Sequence, residues 1–515
     1  MCRKCGDHNF DCIASLSASD DKKLYNDHLL TDISAGSIAD FEGLKSIIGT
    51  SQGTLPPSNQ LVINFQGFGE AEYEKAQQAA KKKQRELTEE DKERLQKLKQ
   101  LQELREVRRS ILRALSVRMP LLLFGVETLL PESEITLKEF VDRVDEASWQ
   151  EYMPKGVTKE VFRKFIKYYD EDVFIGAGVN IRRKVLACDQ MMPLERCETI
   201  AAIFAMFKNP DKETVLTPWK TVNAHMSDIF GGYDFREKDN FGVPVRRAND
   251  CLTHRAGDCV AVGNTVPGSV NAVKILEINS KTGLYPLWMA YNLYAPVSEK
   301  IITTDKQMEM RRHSKLWKDI LAVNIFAVCK TPMAASITRR TLAGFTGAKT
   351  NVTQIDIVAH RLAQSEFAQH FNLPKDMQFD IIIGNPPYQQ DTQGHGAQAK
   401  PIYQYFVRHA KKLNPRYISL IIPARWFVGG KGLDDFRREM LNDERIRILH
   451  DYPNSKDCFP MSKSKAESVT SFGIETTPEN VQFSLTSTTE CVKVCEHFVP
   501  PILMCLSVFL NRQAL

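Results

Sequence analysis

The stretch Phe379-Asp-Ile-Ile-Ile-Gly-Asn-Pro-Pro-Tyr388 decides the fold of this chain. Its apolar residues around one aspartate predict a short buried strand, and Asn385-Pro386-Pro387-Tyr388 leaves the carboxyl end of that strand. Consecutive prolines fix φ and remove two backbone donors, so this loop is rigid and presents carbonyl oxygens. Asn385 Oδ1 and the Pro386 carbonyl oxygen can each accept a hydrogen from an exocyclic amino group, while Tyr388 stacks on the ring that carries it. The plain alternative is a strand followed by a proline-rich turn.

Other apolar runs of strand length surround this segment, at Ala272–Ile278, Asn324–Val328 and Tyr417–Ile422. They alternate with helix-like stretches, which predicts βαβ units and a mostly parallel sheet covered on both faces. Such sheets bind ligands at the carboxyl ends of their strands. We therefore expect an α/β fold whose functional residues directly follow strands.

The tetrapeptide and its strand resemble the catalytic motif of amino-group methyltransferases that use S-adenosylmethionine. About 100 residues earlier, Asn271–Pro286 is similar to the cofactor motif of that family, an acid at a strand end followed by a small-residue turn. Lys281 stands where the family has its first glycine. The order of the two motifs resembles the γ arrangement of N6-adenine DNA methyltransferases from restriction-modification systems, whose longer members carry a helicase ahead of the methylase. The resemblance covers about 205–460.

This resemblance assigns roles to individual residues. Glu277 would orient the methionine part of the cofactor, Gly283 would let the backbone approach it closely, and Thr217 with Pro218 would touch it, although this pair is also simply a good helix start. The implied catalytic residues are Asn385, Pro386, Pro387 and Tyr388, and the implied cofactor-binding residues are Thr217, Pro218, Glu277, Asn279, Gly283 and Asp380. Asp356 is one candidate for the acid that holds the cofactor ribose, and no metal ligand is implied.

The resemblance implies a Rossmann-like S-adenosylmethionine-dependent methyltransferase preceded by a mostly helical region. The implied activity is site-specific methyl transfer to adenine N6 in double-stranded DNA, with the base flipped out of the duplex. Implied partners are DNA and restriction or helicase modules on a longer polypeptide. One alternative is a methyltransferase that acts on protein glutamine or on RNA amino groups. Another is a non-catalytic DNA-binding remnant that uses a basic helix over 76–113, a segment with 12 Lys and Arg but only 7 Asp and Glu.

Composition supports a folded chain that does not enter membranes. Hydrophobic residues make up 43% and charged residues 25% of the 515 positions, as in ordinary folded domains, which excludes disordered and collagen-like classes. No apolar run is long enough to span a bilayer, and the amino terminus lacks a secretory core, so we expect a cytoplasmic protein. Cys2 and Cys5 form a CxxC without a second pair at zinc-ribbon spacing, so we expect unpaired thiols there.

The domain organisation that we expect has four parts. Residues 1–70 are a remnant of an upstream, helicase-linked region, 71–204 a helical connector with the basic helix, 205–460 the catalytic domain, and 461–515 a tail. The tail holds 13 Ser and Thr among 55 residues and has no clear periodicity. Reading its codons one frame over permits the Gly-Gly-Val-Cys-Tyr-Phe type of strand that the family carries here. We therefore expect a frameshift after Pro460, a disordered tail, a sheet without its last strands, and weak or no activity.

Overall fold

The computed structural model describes part of the chain, and the described residues fall into two compact units. The first unit contains Gln96 and the described residues within 136–180. The second unit contains the described residues within 122–126, 181–205 and 216–492. The described residues are Gln96, Leu122, 124–126, 136–153, 157–166, 171–205, 216–240, 242–247, 273–301, 303–357, 364–374, 377–389, 400–452, 469–475, 485–487 and 490–492. Cys2, Cys5, the predicted tail beyond 492 and the basic helix apart from Gln96 lie outside these residues.

The first unit consists of short helices with polar caps. They are α1 (Leu137–Arg143), α2 (Glu146–Tyr152), α3 (Lys159–Phe165) and the beginning of α4 (Glu171–Cys188). Thr158 caps α3 by accepting a hydrogen bond from the Val161 amide. The ring of Trp149 is fully buried and donates from Nε1 to the Val157 carbonyl oxygen at 2.7 Å.

The second unit contains the end of α4 and a mixed succession of helices and strands. Its elements are α5 (Pro193–Ala205), α6 (Trp219–Phe230), β1 (Gly232–Lys238), β2 (Pro244–Arg247), β3 (Ile275–Glu277), α7 (Leu284–Ser298), α8 (Lys306–Val323), β4 (Ile325–Cys329), α9 (Pro332–Ala343), β5 (Asn351–Gln354), α10 (Gln364–Gln369), β6 (Ile381–Gly384), α11 (Tyr403–Lys412), β7 (Tyr417–Pro423), α12 (Asp434–Leu441), β8 (Ile446–Tyr452), β9 (Val469–Glu475), β10 (Leu485–Ser487) and β11 (Glu490–Val492). None of the helices in the described part of the chain is both long and apolar enough to cross a membrane.

A seven-stranded sheet in the order β5-β4-β3-β6-β7-β9-β8 organises this unit. Strands β5, β4, β3, β6 and β7 run parallel to one another, and β9 is antiparallel to both β7 and β8. The predicted runs at Ala272–Ile278, Asn324–Val328, Phe379–Ile383 and Tyr417–Ile422 appear as β3, β4, β6 and β7. The α/β fold is thereby confirmed. Strands β3 and β6 lie side by side in the middle of the sheet, so their carboxyl ends meet.

The expectation that the sheet lacks its last strands is wrong. Val469–Glu475 pairs with β7 along its whole length, from Val469 opposite Pro423 to Glu475 opposite Tyr417. It also pairs with β8 and so fills the space between two strands whose backbone groups need partners. The segment is rich in the residue types that favour strands, with valine, threonine, phenylalanine and isoleucine, which explains its extended backbone. The frameshift stays a prediction about the gene.

The compact unit that contains the sheet begins before the expected boundary at 204/205. Arg196 of α5 is buried, pairs with Asp189 at 3.0 Å, and donates to the carbonyl oxygens of Arg340 and Thr341 at the end of α9. Asp189 also accepts from the Phe345 amide at 2.9 Å. These contacts join α5 to the end of α9, so the chain around α5 is part of the unit that contains the sheet.

Candidate active site

The tetrapeptide Asn385-Pro386-Pro387-Tyr388 lies at the carboxyl end of the central strand β6. Gly384 ends that strand with φ of +148°, and a Cβ atom there would lie only 2.8 Å from the Ile278 carbonyl oxygen. Only a glycine allows this approach, which brings the backbone before Asn385 against the loop that leaves β3. Sequence reasoning assigned no role to Gly384, although an isolated glycine at a strand end is the usual signal of a close backbone approach.

The side-chain amide of Asn385 is held by a residue far away in sequence. Its Nδ2 donates to Thr217 Oγ1 at 3.0 Å across a separation of 168 residues. Its Oδ1 is buried and has no hydrogen-bond partner among the described residues. Pro218 caps α6 in an extended conformation and so fixes where Thr217 stands. The threonine predicted to touch the cofactor thus contacts the side-chain amide of Asn385, and one acceptor of that amide is left for a ligand.

The far end of the tetrapeptide is also fixed. The Tyr388 carbonyl oxygen accepts from the Ile402 amide at 3.1 Å, and Gln389 forms an antiparallel bridge with Pro401. Pro386 is buried, whereas Pro387 and Tyr388 are half-buried. The chain before α11 therefore holds the loop in place from the side opposite to Gly384, and the predicted catalytic residues stand together.

The loop after β3 carries two buried polar groups. Glu277 is the last residue of β3 and is 5% exposed. Burial raises the pKa of its carboxyl to about 8, although a hydrogen bond from Ser280 acts in the opposite direction. Asn279 is left-handed, with φ of 66°, and is 7% exposed. Within the described part of the chain, neither Glu277 Oε2 nor Asn279 Nδ2 has a hydrogen-bond partner, so the loop presents one acceptor and one donor.

Helix α9 holds this loop in a fixed conformation. The hydroxyls of Ser280 and Thr338 lie 3.0 Å apart, and Thr341 Oγ1 donates to the Thr282 carbonyl oxygen at 2.6 Å. Gly283 precedes α7 with φ of +75°, and a Cβ atom there would lie 3.1 Å from Thr338 Cα. The freedom of Gly283 is thus used for close packing against α9, and its approach to a cofactor stays a prediction.

Asp380 does not belong to this site, and the cofactor-binding role predicted for it is wrong. It precedes β6, so it lies at the amino edge of the sheet, about 16 Å from Asn385 at the usual rise of a strand. Its Oδ2 accepts from the Lys274 amide at 2.7 Å, and its carbonyl oxygen accepts from Tyr417. Burial raises the pKa of this carboxyl. Asp380 therefore joins the beginnings of three neighbouring strands.

Asp356 lies at the carboxyl edge but beyond a different strand. It follows β5 and is half-buried, and β5 pairs with β4 so that Gln354 stands opposite Cys329. Cys329 ends β4, is fully buried, and donates from Sγ to Thr338 Oγ1 at 3.6 Å. The residues that follow Cys329 are Lys330 and Thr331, so β4 ends without an acid. A ribose-binding role for Asp356 stays a prediction.

A buried histidine that sequence reasoning missed fixes α6 against the sheet. His225 Nδ1 lies 2.9 Å from the Tyr285 hydroxyl on α7, and its Nε2 lies 2.8 Å from Ser419 Oγ on β7. Burial lowers the pKa of His225 to about 3, so the ring is neutral at pH 7. Because α6 begins just after Thr217, this network also fixes the threonine that holds Asn385.

Comparisons with known proteins identify sequences and structures that are similar to this chain. Residues 323–459 match the family model described as Eco57I restriction-modification methylase. A relative described as an uncharacterized adenine-specific methylase of Mycoplasma pneumoniae (strain ATCC 29342 / M129 / Subtype 1) is 39% identical over 94 residues, which are 17% of this chain and 22% of the relative. The chain thus matches about a fifth of the length of that relative.

Solved structures of restriction-modification enzymes are also similar to this chain. The type I methyltransferase subunit from Streptococcus thermophilus has a TM-score of 0.34 and 11% identity, with 80% of this chain and 82% of that chain covered. A nuclease-deletion mutant of the Type ISP enzyme LlaGI, in complex with a DNA substrate mimic, has a TM-score of 0.37 and 13% identity, with 73% and 36% covered.

Proposed function

We propose, from the match of residues 323–459 to the Eco57I restriction-modification methylase family model, that this chain methylates adenine N6 in double-stranded DNA with S-adenosylmethionine. The observation that carries the proposal is the state of the Asn385 amide. Thr217 holds its Nδ2, and its Oδ1 is buried without a hydrogen-bond partner among the described residues. A buried acceptor in this state suits one N–H of an exocyclic amino group.

The tetrapeptide supplies the groups that activate the amine. Asn385 Oδ1 accepts one amino hydrogen, the Pro386 carbonyl oxygen accepts the other, and Tyr388 stacks on the base. Two acceptors on one amino group turn the nitrogen lone pair towards the electrophile. As the nitrogen bonds to the methyl carbon, the bond between that carbon and the cofactor sulfur would break, and the amino nitrogen would release one proton to solvent. Most of the rate enhancement then comes from orientation and from exclusion of water, so a strong base is not required.

The loop after β3 has the donor and acceptor that the cofactor needs. Glu277 would accept from the α-ammonium group of S-adenosylmethionine, and Asn279 Nδ2 would donate to its α-carboxylate. When bound, S-adenosylmethionine supplies the electrophilic methyl group. The contacts of Ser280 and Thr282 with α9 fix the loop beforehand, so little conformational entropy is lost on binding.

The substrate sets further requirements. Adenine N6 is stacked inside a duplex, so the base must be flipped towards Asn385. This proposal includes restriction or helicase modules on a longer polypeptide as further partners. It places the protein in the cytoplasm, where DNA and cofactor meet. The paired strand β9 removes the structural reason for expecting an inactive sheet, so we propose an active enzyme.

Transfer of labelled methyl groups to unmethylated DNA tests the proposal. The wild type should label adenine N6, identified after digestion to nucleosides, and Asn385→Ala should lower the rate about 100-fold or more. Asp380→Asn is the matched control, since it changes a polar residue beside the same strand at the opposite edge. Transfer that is independent of Asn385 would contradict the mechanism.

The same assay separates the alternatives. Label in RNA or in protein glutamine instead of DNA would favour the other amino-group methyltransferases. DNA binding that falls steeply with salt, without methyl transfer and unchanged in Asn385→Ala, would favour a non-catalytic DNA-binding remnant.

A further inference from the structure

An exposed loop lies between β7 and α12. A short 3-10 helix, Ala424–Phe427, follows that strand, and residues 428–432 then lead to α12. Since β7 is parallel to β6, with Leu420 opposite Gly384, this loop leaves the same edge of the sheet as Asn385. We call residues 428–432 the edge loop.

The edge loop exposes one aliphatic side chain between buried anchors. Val428 is 67% exposed, the highest value among the large hydrophobic residues of the described chain. Before it, Trp426 and Phe427 are 0% and 6% exposed, and after it, Leu433 and Phe436 are both fully buried. The anchors on both sides hold Val428 out into solvent at the catalytic edge, where its folding role is small.

The edge loop forms a tight turn with an unusual backbone conformation. Gly429, Gly430, Lys431 and Gly432 are all left-handed, with φ of 79°, 75°, 50° and 81°. Its turn is closed because the Gly430 amide donates to Asp434 Oδ1 at 2.9 Å and its carbonyl oxygen accepts from Leu433 at 3.0 Å.

The open side of the edge loop can be approached closely. A Cβ atom at Gly430 or Gly432 would meet nothing within 4 Å, so these glycines leave free space beside the backbone. Lys431 is exposed and brings a positive charge to this space.

We propose that Val428 is a wedge that enters duplex DNA where the target base leaves the stack, and that Lys431 binds an adjacent phosphate. The inference rests on the proposed function, because it assumes a flipped adenine at Asn385. A base that leaves the duplex opens an apolar gap between its stacked neighbours, and proteins that distort DNA fill such gaps with aliphatic side chains. Val428 has the chemistry, the exposure and the rigid support for this role, and the cationic Lys431 suits the backbone beside the gap.

DNA binding tests the wedge without any methyl transfer. Fluorescence anisotropy would compare an intact duplex with the same duplex carrying one abasic site. We expect the wild type to prefer the abasic duplex, and Val428→Ser to reduce that preference about tenfold while binding intact duplex normally. Leu186→Ser, which changes a side chain 45% exposed on α4, is the matched control and should keep the preference. An unchanged preference in Val428→Ser would overturn the proposal.

Methyl transfer gives a second readout. Val428→Ser should slow methylation of duplex DNA about tenfold but leave the same sequence as a single strand unaffected, since no stack has to be opened there. Lys431→Ala should weaken binding to all duplexes and lower the salt slope by about one. Equal losses on duplex and single strand would refute the wedge. If the wild type methylates no DNA at all, the proposed function fails, and the abasic comparison still judges the wedge.

Discussion

Replacement of Glu277 by glutamine tests how a buried carboxyl controls cofactor binding. Burial at the end of β3 raises the pKa of Glu277 to about 8, so the free protein holds this group mostly protonated at pH 7. The α-ammonium group of the cofactor needs the carboxylate, so binding must release a proton. The affinity of the wild type should therefore fall about tenfold for each pH unit below 8, which makes the dissociation constant roughly fifty times larger at pH 6 than at pH 8.

The Glu277→Gln variant should bind the cofactor weakly and with almost no dependence on pH between 6 and 8. Isothermal titration calorimetry at pH 6, 7 and 8, in buffers with different heats of ionisation, measures both the affinity and the released proton. Asp380→Asn removes another buried carboxyl, at the amino edge of the sheet, and should keep the wild-type pH dependence. A wild type whose affinity does not change with pH, or a Glu277→Gln variant that keeps the dependence, would show that the carboxyl is not the cofactor ligand.

The same carboxyl affects the stability of the cofactor-free protein. Because its pKa in the folded state lies above the ordinary value of 4.5, the folded state retains a proton that the unfolded state has lost. The free energy of unfolding contributed by Glu277 therefore decreases as the pH rises from about 4.5 to about 8. At pH 8 we expect Glu277→Gln to be more stable than the wild type, by at most about 4 kcal/mol, in urea unfolding.

Three other changes have defined outcomes. Thr217→Val removes the acceptor of Asn385 Nδ2 and should lower the rate of methyl transfer about tenfold or more, without a matching change in cofactor affinity. Thr217→Ser keeps the hydroxyl and should retain activity. An equal loss of activity in both variants would contradict the positioning role. Gly384→Ala places a methyl group 2.8 Å from the Ile278 carbonyl oxygen in a strained conformation and should cost about 2–4 kcal/mol, and an unchanged urea midpoint would refute that packing. Burial lowers the pKa of His225 to about 3, so as the pH falls the unfolded state takes up a proton before the folded state does. The free energy of unfolding should therefore fall by about 1.4 kcal/mol for each pH unit below 6.5. In urea unfolding at pH 7, 6 and 5, the His225→Gln variant should show a smaller dependence on pH.

The prediction that failed for Asp380 shows where sequence reasoning stops. The aspartate stands in an apolar run just before the tetrapeptide Asn385–Tyr388, and the resemblance alone does not say at which end of the strand it acts. A strand of four residues separates it from Asn385, so its carboxyl serves the opposite edge, where it accepts from Lys274. Parallel sheets bind ligands at the carboxyl ends of their strands, and Asp380 stands before β6, at the amino end.

The sequence by itself determined the parallel strands and the residues that follow them. Apolar runs of strand length, proline pairs and glycines act on the local backbone, so the order of residues alone places Asn385 and Glu277 at strand ends. The tertiary structure decided which distant groups meet: Thr217 with Asn385, α5 with the end of α9, and β9 with β7. These pairings depend on long-range packing and on backbone groups that need partners, and neither leaves a periodic trace in a single sequence.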